Sequence, residues 1–408
     1  MKIAMMTNNY KPFTGGVPIS IERLAKGLEA LGHDVTIFAP TYRTDSDTDN
    51  GEEKIFRYKT FLNHFVGGIV LPNPFDKEIV AEFEKEKFDL IHVHHPMLIG
   101  RTAVYLAKRY DIPLVFTYHT RYEQYVKSYS GGRINLDSVM PYYLHTFMKN
   151  CSFVFAPTRG MKHYLSDVCK VSSGKIGILP TGVKKAYFQG NEKAINDIKQ
   201  RYDAEGMPLL LTVSRMAGEK NVEFLLNSLV RVKDLYGDSF RVLMVGDGPD
   251  KEYLEEKSTE LGLQKQVIFT GCVPNEEIAP YYQAADGFIF ASKTETQGIV
   301  ILEAFAGGTP VVALRASGVE DLVMDGDNGI LTEENIEIYA NKLAAFLKAA
   351  AWKNNQYNTL VQGALKSAWL YSEEAVALKA EHYYNVVVAE YEMQKKRSGQ
   401  RWTRNIVY

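Results

Sequence analysis

Two carboxylates, Glu295 and Glu303, stand eight positions apart in the stretch SKTETQGIVILEAFAGGTPVVA (292–313), which is otherwise apolar or small. An unpaired carboxylate inside a core costs on the order of several kcal/mol, so these residue types call for a ligand or a partner. FIFAS reads as a strand, KTETQG as a loop, and IVILEAFAGG as a helix ended by Gly307 and Gly308 before Pro310. Glu295 then falls in the loop at the strand's carboxyl end, and Glu303 about one turn into the helix. Between them the amides of Gly298, Ile299 and Val300 make a positive helix start, suited to a phosphate or an oxygen-rich ligand. Carboxylates repel phosphate but accept hydrogen bonds from the hydroxyls of a sugar and a ribose.

A complementary charge is present in TVSRMAGEKN, where Arg215 and Lys220 follow an apolar run. A forked guanidinium and an ammonium match a diphosphate; the alternative is a solvated loop with Glu219 as local partner. Gly15 and Gly16, in the loop NNYKPFTGGV, allow backbone N–H groups to approach an anion, or simply make a flexible turn. VGDGPDKEYL, with Gly246 and Gly248, starts like a dinucleotide fingerprint but lacks the third glycine, which argues against a nicotinamide site. His119 follows the apolar run LVFTY, at a strand end facing the interdomain cleft, although a lone histidine is more often structural. His92, His94 and His95 have metal-like spacing, yet without an Asp, Glu or Cys cluster nearby they read as packing or hydrogen-bonding groups. Asp45 and Asp47 lie in an acidic, turn-rich stretch that reads as a solvated loop.

The elements that must position these residues alternate along the chain. KIAMMT, a loop, a helix carrying Ile21, Leu24, Leu28 and Leu31 at helical spacing, and a second apolar run give β-loop-α-β. Similar units recur up to the polar stretch 188–208, where the domain boundary is expected, and restart at LLLTVSR. Apolar strands separated by amphipathic helices indicate parallel sheets buried on both faces, one in each half. The expected domains are residues 1–190 and 191–372.

The 408 residues, 46% hydrophobic and 24% charged, suit two globular domains. Residues 1–190 carry 24 Lys+Arg against 18 Asp+Glu. That small excess is not the dense basic stripe of a nucleic-acid binder, but it leaves room for an anionic membrane surface. The basic tail 395–404 adds slightly to that reading, against a plainly solvated terminus. The start MKIAMMTNNY lacks the apolar segment of a signal peptide, and no run approaches the roughly 18 apolar residues of a membrane span. Cys151, Cys169 and Cys272, scattered and odd in number, suit a reducing compartment, so a cytoplasmic location is expected.

With these residues in view, the chain resembles the retaining glycosyltransferases of family 4. GGVPISIERLAKGLEALGHDV, SRMAGEKN, VGDGP, QAADGFIFAS, ETQGIVILEA and DGDNGIL carry the resemblance in family order over nearly the whole chain. HHPMLIGRTAVYLAK, PLVFTYHTRYEQYV and ETQG, with Gln297 where many members have Phe, are similar to the bacterial diacylglycerol glucosyltransferases. The resemblance implies the GT-B fold, two Rossmann-like doubly wound parallel sheets facing a cleft, with the helical segment 373–408 returning to the first domain. It implies that Arg215 and Lys220 hold a nucleotide diphosphate, that Glu303 binds the ribose and Glu295 the donor sugar, and that His119 sits beside that sugar. Gly16 would approach the diphosphate and Val273 would meet the base through its backbone. The implied reaction moves a hexose, glucose from UDP-glucose, to a lipid such as 1,2-diacylglycerol at an anionic cytoplasmic membrane face, with no metal or other cofactor. A soluble acceptor and a GT-B sugar-nucleotide epimerase are the alternatives.

Overall fold

The computed structural model describes residues 1–13, 15–42, 53–62, 70–123 and 135–405, the last eight of these by backbone alone. Asp45 and Asp47 lie outside the described residues. The chain divides into two compact units, residues 1–182 with 373–408, and residues 183–372. The first division falls ahead of the polar stretch because Val183 and Tyr187 are buried in the second unit's core and Phe188 stacks on Trp369.

In the first unit seven parallel strands lie in the spatial order Ile55–Tyr58, Asp34–Pro40, Lys2–Met6, Leu90–Val93, Leu114–Thr117, Phe153–Ala156 and Ile176–Ile178. Their side chains alternate between two apolar layers, which is why the strands read as nearly continuous apolar runs. Ile3, Met5, Val35 and Ile37 meet the helix Gly16–Ala30 through Ile21, Leu24 and Leu28, while Ala4, Met6, Ile91 and Phe116 face the opposite layer. Each of these side chains except Ala4 contributes about 1.5–3 kcal/mol on burial. The helix Glu373–Asn405 joins the first layer through Val376, Ala380, Tyr384 and Val387, and His33 Nε2 lies 3.0 Å from Glu381 Oε1.

The second unit repeats the plan with six parallel strands, in the order Val267–Gly271, Arg241–Val245, Leu209–Val213, Gly287–Phe290, Val311–Leu314 and Gly329–Thr332. Chain order reverses between Leu209–Val213 and Gly287–Phe290. The loops leaving the carboxyl ends of these two neighbours diverge to opposite sides and open a crevice, where ligands of such sheets bind. In the first unit the reversal falls between Lys2–Met6 and Leu90–Val93. Beyond the strand Val311–Leu314 the second unit adds the helices Ile336–Ala351 and Asn355–Trp369, which cover its two faces.

Candidate active site

At the second unit's reversal point, the loop after Leu209–Val213 carries Arg215 and Lys220, and the loop after Gly287–Phe290 carries Glu295. The topology brings these loops side by side. Lys220 Nζ donates to Glu295 Oε1 at 2.6 Å. Two backbone-anchored contacts tie the same loops: Lys293 N and Ser292 Oγ donate to Glu219 O at 3.3 and 3.4 Å. Arg215 stands exposed on the first loop, beside the buried Met216, whose N–H donates to Asp247 O at 2.8 Å.

The helix Ile299–Ala306 begins at Gly298, which adopts φ 77°, ψ 58°. This left-handed conformation suits glycine and turns the chain from loop into helix within one residue. Glu295 precedes that start, and Glu303 lies inside the helix, 5% exposed. Its Oε2 accepts a hydrogen bond of 2.9 Å from the hydroxyl of the fully buried Tyr282. The buried carboxylate is thus partnered, as its desolvation requires. Gln297 is also buried, and Val273, just past the strand Val267–Gly271, packs partly buried against the core. Glu295 is braced from behind: Thr294 and Ser317 form a parallel bridge, and Gly318 passes so close that a Cβ there would lie 2.6 Å from Glu295 O.

In the first unit Gly16 is exposed as the first residue of its helix. His119 stands just past the strand Leu114–Thr117 with its Nε2 2.9 Å from His94 Nδ1. His92 lies fully buried, with Nδ1 2.7 Å from the Tyr384 hydroxyl and Nε2 2.6 Å from Thr117 Oγ1. His95 Nδ1 accepts from Asn8 N at 3.1 Å. Burial pushes His92 down to about 3 and His95 to about 4, and holds His94 and His119 well below the usual imidazole range, with neighbouring imidazoles adding to the effect at the last two. All four rings are therefore neutral near pH 7. Among the described residues, no group of three or more His, Cys, Asp or Glu is placed to hold a metal ion.

Sequence reading missed Tyr282, Gly318 and the pairing of His94 with His119. Tyr282 sits in EEIAPYYQAA, which has the composition of an ordinary amphipathic helix. The histidine pairing depends on strand register, and the register could not be read from the chain.

Residues 194–364 match the family model described as glycosyl transferases group 1, and residues 14–186 the one described as glycosyltransferase family 4. An alpha-monoglucosyldiacylglycerol synthase of Streptococcus pneumoniae is 33% identical over 81% of this chain and 75% of its own length. A second protein of that name, from Acholeplasma laidlawii, is 29% identical over 83% of this chain and 86% of its own. The crystal structure of Anabaena HepE in complex with UDP aligns with a TM-score of 0.76 at 18% identity, covering 95% of this chain and all of that one.

Proposed function

This chain belongs to the family 4 glycosyltransferases of GT-B fold, and from that premise we propose that it transfers glucose from UDP-glucose to 1,2-diacylglycerol, with retention, at an anionic cytoplasmic membrane surface. The observation that carries the reading is the Lys220–Glu295 contact at the reversal point of the second sheet, beside the start of the helix that holds Glu303.

In this reading Arg215, Lys220 and the amides of Gly298, Ile299 and Val300 take the diphosphate, and Glu295 takes hydroxyls of the glucose. Glu303 takes the ribose hydroxyls and the Val273 backbone meets the base. Gly16 and His119 are the first unit's contributions, to the diphosphate and the sugar. The bond from anomeric carbon to phosphate oxygen breaks as the acceptor hydroxyl attacks on the same face. The acceptor's proton passes to the departing diphosphate. Fixed cations and amides meet the leaving group's charge, so the proposal requires no divalent metal, and transfer is expected to persist in EDTA.

The reading is supported by the names of the two diacylglycerol-directed relatives and by UDP in the structural neighbour. Labelled UDP-glucose with mixed micelles of diacylglycerol should yield a glycolipid. A water-soluble glycoside instead would overturn the acceptor, and an epimerised sugar nucleotide would overturn transfer itself.

The Tyr282 hydroxyl leaves one oxygen of Glu303 committed and so sets how the carboxylate is presented. Tyr282→Phe keeps the ring and deletes the bond. Donor KM should rise about tenfold, the loss of one hydrogen bond to a charged group, with kcat little changed. An unchanged KM would remove Tyr282 from the ribose site.

Among the described residues no helix is long and apolar enough to cross a membrane. The first unit does expose Phe61, Leu62, Leu71 and Phe75, the last 82% exposed, on and beside the hairpin of Thr60–Leu62 and Leu71–Pro72. The helix Val139–Met148 buries Met140, Leu144 and Phe147 and exposes Val139 and Tyr142. Liposome flotation should recover the protein with anionic vesicles, and Phe61→Ser with Phe75→Ser should lower the bound fraction at least tenfold, since each phenyl ring withdrawn from water contributes about 1.5–3 kcal/mol. Flotation unaffected by both changes would put the lipid contact elsewhere.

A further inference from the structure

The contact between His94 and His119 bears on how His119 can act. His94 follows the strand Leu90–Val93 and His119 follows its neighbour Leu114–Thr117, paired in register through Val93 and Phe116. The two rings lie nearly parallel, 23° apart with centroids 5.2 Å apart, and His94 Nδ1 is 2.9 Å from His119 Nε2. Because both imidazoles are neutral, one of these nitrogens carries the hydrogen and the other accepts it.

The other nitrogen of His94 decides which. Nε2 of His94 is buried and, among the described residues, has no hydrogen-bond partner. A buried N–H with nothing to accept it is rarer in folded proteins than a buried acceptor left unpaired, so the single hydrogen of His94 belongs on Nδ1. It is then donated to His119 Nε2, and His119 carries its own hydrogen on Nδ1. His92, held at both nitrogens by Tyr384 and Thr117, lies against the His94 ring at 4.2 Å between centroids and keeps it from swinging away.

We propose that His94 is a positioning residue that locks His119 in the Nδ1–H tautomer, so that the His119 Nε2 is held as an acceptor by His94 and is not a base. The expected change in rate rests on the function proposed above; the tautomer does not depend on it.

Long-range proton–nitrogen NMR of the full chain labelled in its histidines tests this, with assignments from His94→Phe and His119→Phe. In the intact protein His119 should show a protonated Nδ1 and a bare Nε2. His94→Phe should return His119 to the ordinary Nε2–H form and lower kcat with UDP-glucose and diacylglycerol about tenfold, the worth of one misplaced hydrogen bond. His94→Asn, whose amide N–H can stand near the former Nδ1–H, should restore both the tautomer and most of the rate. A protonated Nε2 on His119 in the intact protein, or a His119 spectrum unmoved by His94→Phe, overturns the proposal. A tautomer that shifts as stated in a protein that transfers no glucose upholds the lock and sinks the function.

Discussion

Lys220→Ala is expected to lower kcat/KM for glucose transfer by about 10²–10³, with the fold intact by circular dichroism. The reason is where the ammonium stands. It is held 2.6 Å from Glu295 in a partly buried site, where a fixed cation aimed at developing charge is worth about that factor. In the proposed reaction the charge develops on the departing diphosphate, which Arg215 and the helix-start amides would then have to meet without the ammonium. The substitution also strips Glu295 of its ammonium partner, which in the proposed reaction holds the carboxylate for the sugar. The two losses therefore should not add: the double variant with Glu295→Ala should be little slower than Lys220→Ala, the mark of residues acting as one unit. Lys220→Arg should not restore the rate, because a planar fork cannot occupy the site of a compact ammonium. Steady-state kinetics on the three variants and the double variant checks this. Losses that multiply independently would show that the observed ion pair is incidental to catalysis.

The sequence disclosed this pair only in part, and the reason is physical. Loops that follow apolar runs can be recognised because strands buried on both faces have no polar side to obscure them, and both Lys220 and Glu295 fall in such loops. Chain order in the sheet is a long-range property. It was the reversal between Leu209–Val213 and Gly287–Phe290 that turned two separate loops into neighbours. Glu303 was recognisable as a buried carboxylate in need of a partner, but its partner Tyr282, twenty-one residues away, has no local signature. His92, His94 and His95 were read as packing or hydrogen-bonding groups, while the nitrogen that meets His119 is fixed by register and ring orientation. Composition misdirected the reading at one point. The polarity of 188–208 suggested a linker there, yet Val183 and Tyr187 had already entered the second core, since a chain crossing between units is committed by what it buries and not by the polar residues that follow. The helices Ile336–Ala351 and Asn355–Trp369 lie beyond the alternation on which the sequence argument was built.

Gly246→Ala is expected to destabilise the second unit by about 2–6 kcal/mol. Gly246 ends the strand Arg241–Val245 at φ 134°, and a Cβ there would lie 2.0 Å from the carbonyl oxygen of Ser214. Backbone strain of about 1–3 kcal/mol and overpacking of about 1–3 kcal/mol therefore add, and the clash cannot relax cheaply. Three segments are stitched together there: Ser214 N donates to Val245 O at 3.1 Å, Met216 N to Asp247 O at 2.8 Å, and Gly246 N to Gly271 O at 2.9 Å. Gly262 supplies the control, with φ 68° and open space around an added Cβ, so Gly262→Ala should cost only about 1–2 kcal/mol of backbone strain. Calorimetry following the second unit's transition should show a midpoint lowered by roughly 10 °C for the first change and a few degrees for the second. Because Ser214 opens the loop that carries Arg215 and Lys220, the damage should extend to donor binding below the melting temperature, which Gly262→Ala should leave intact. Equal effects of the two substitutions would mean that the carbonyl contact imposes no constraint. The expected difference would place the glycines of VGDGP in loop crossing, a role separate from the dinucleotide fingerprint whose opening they share.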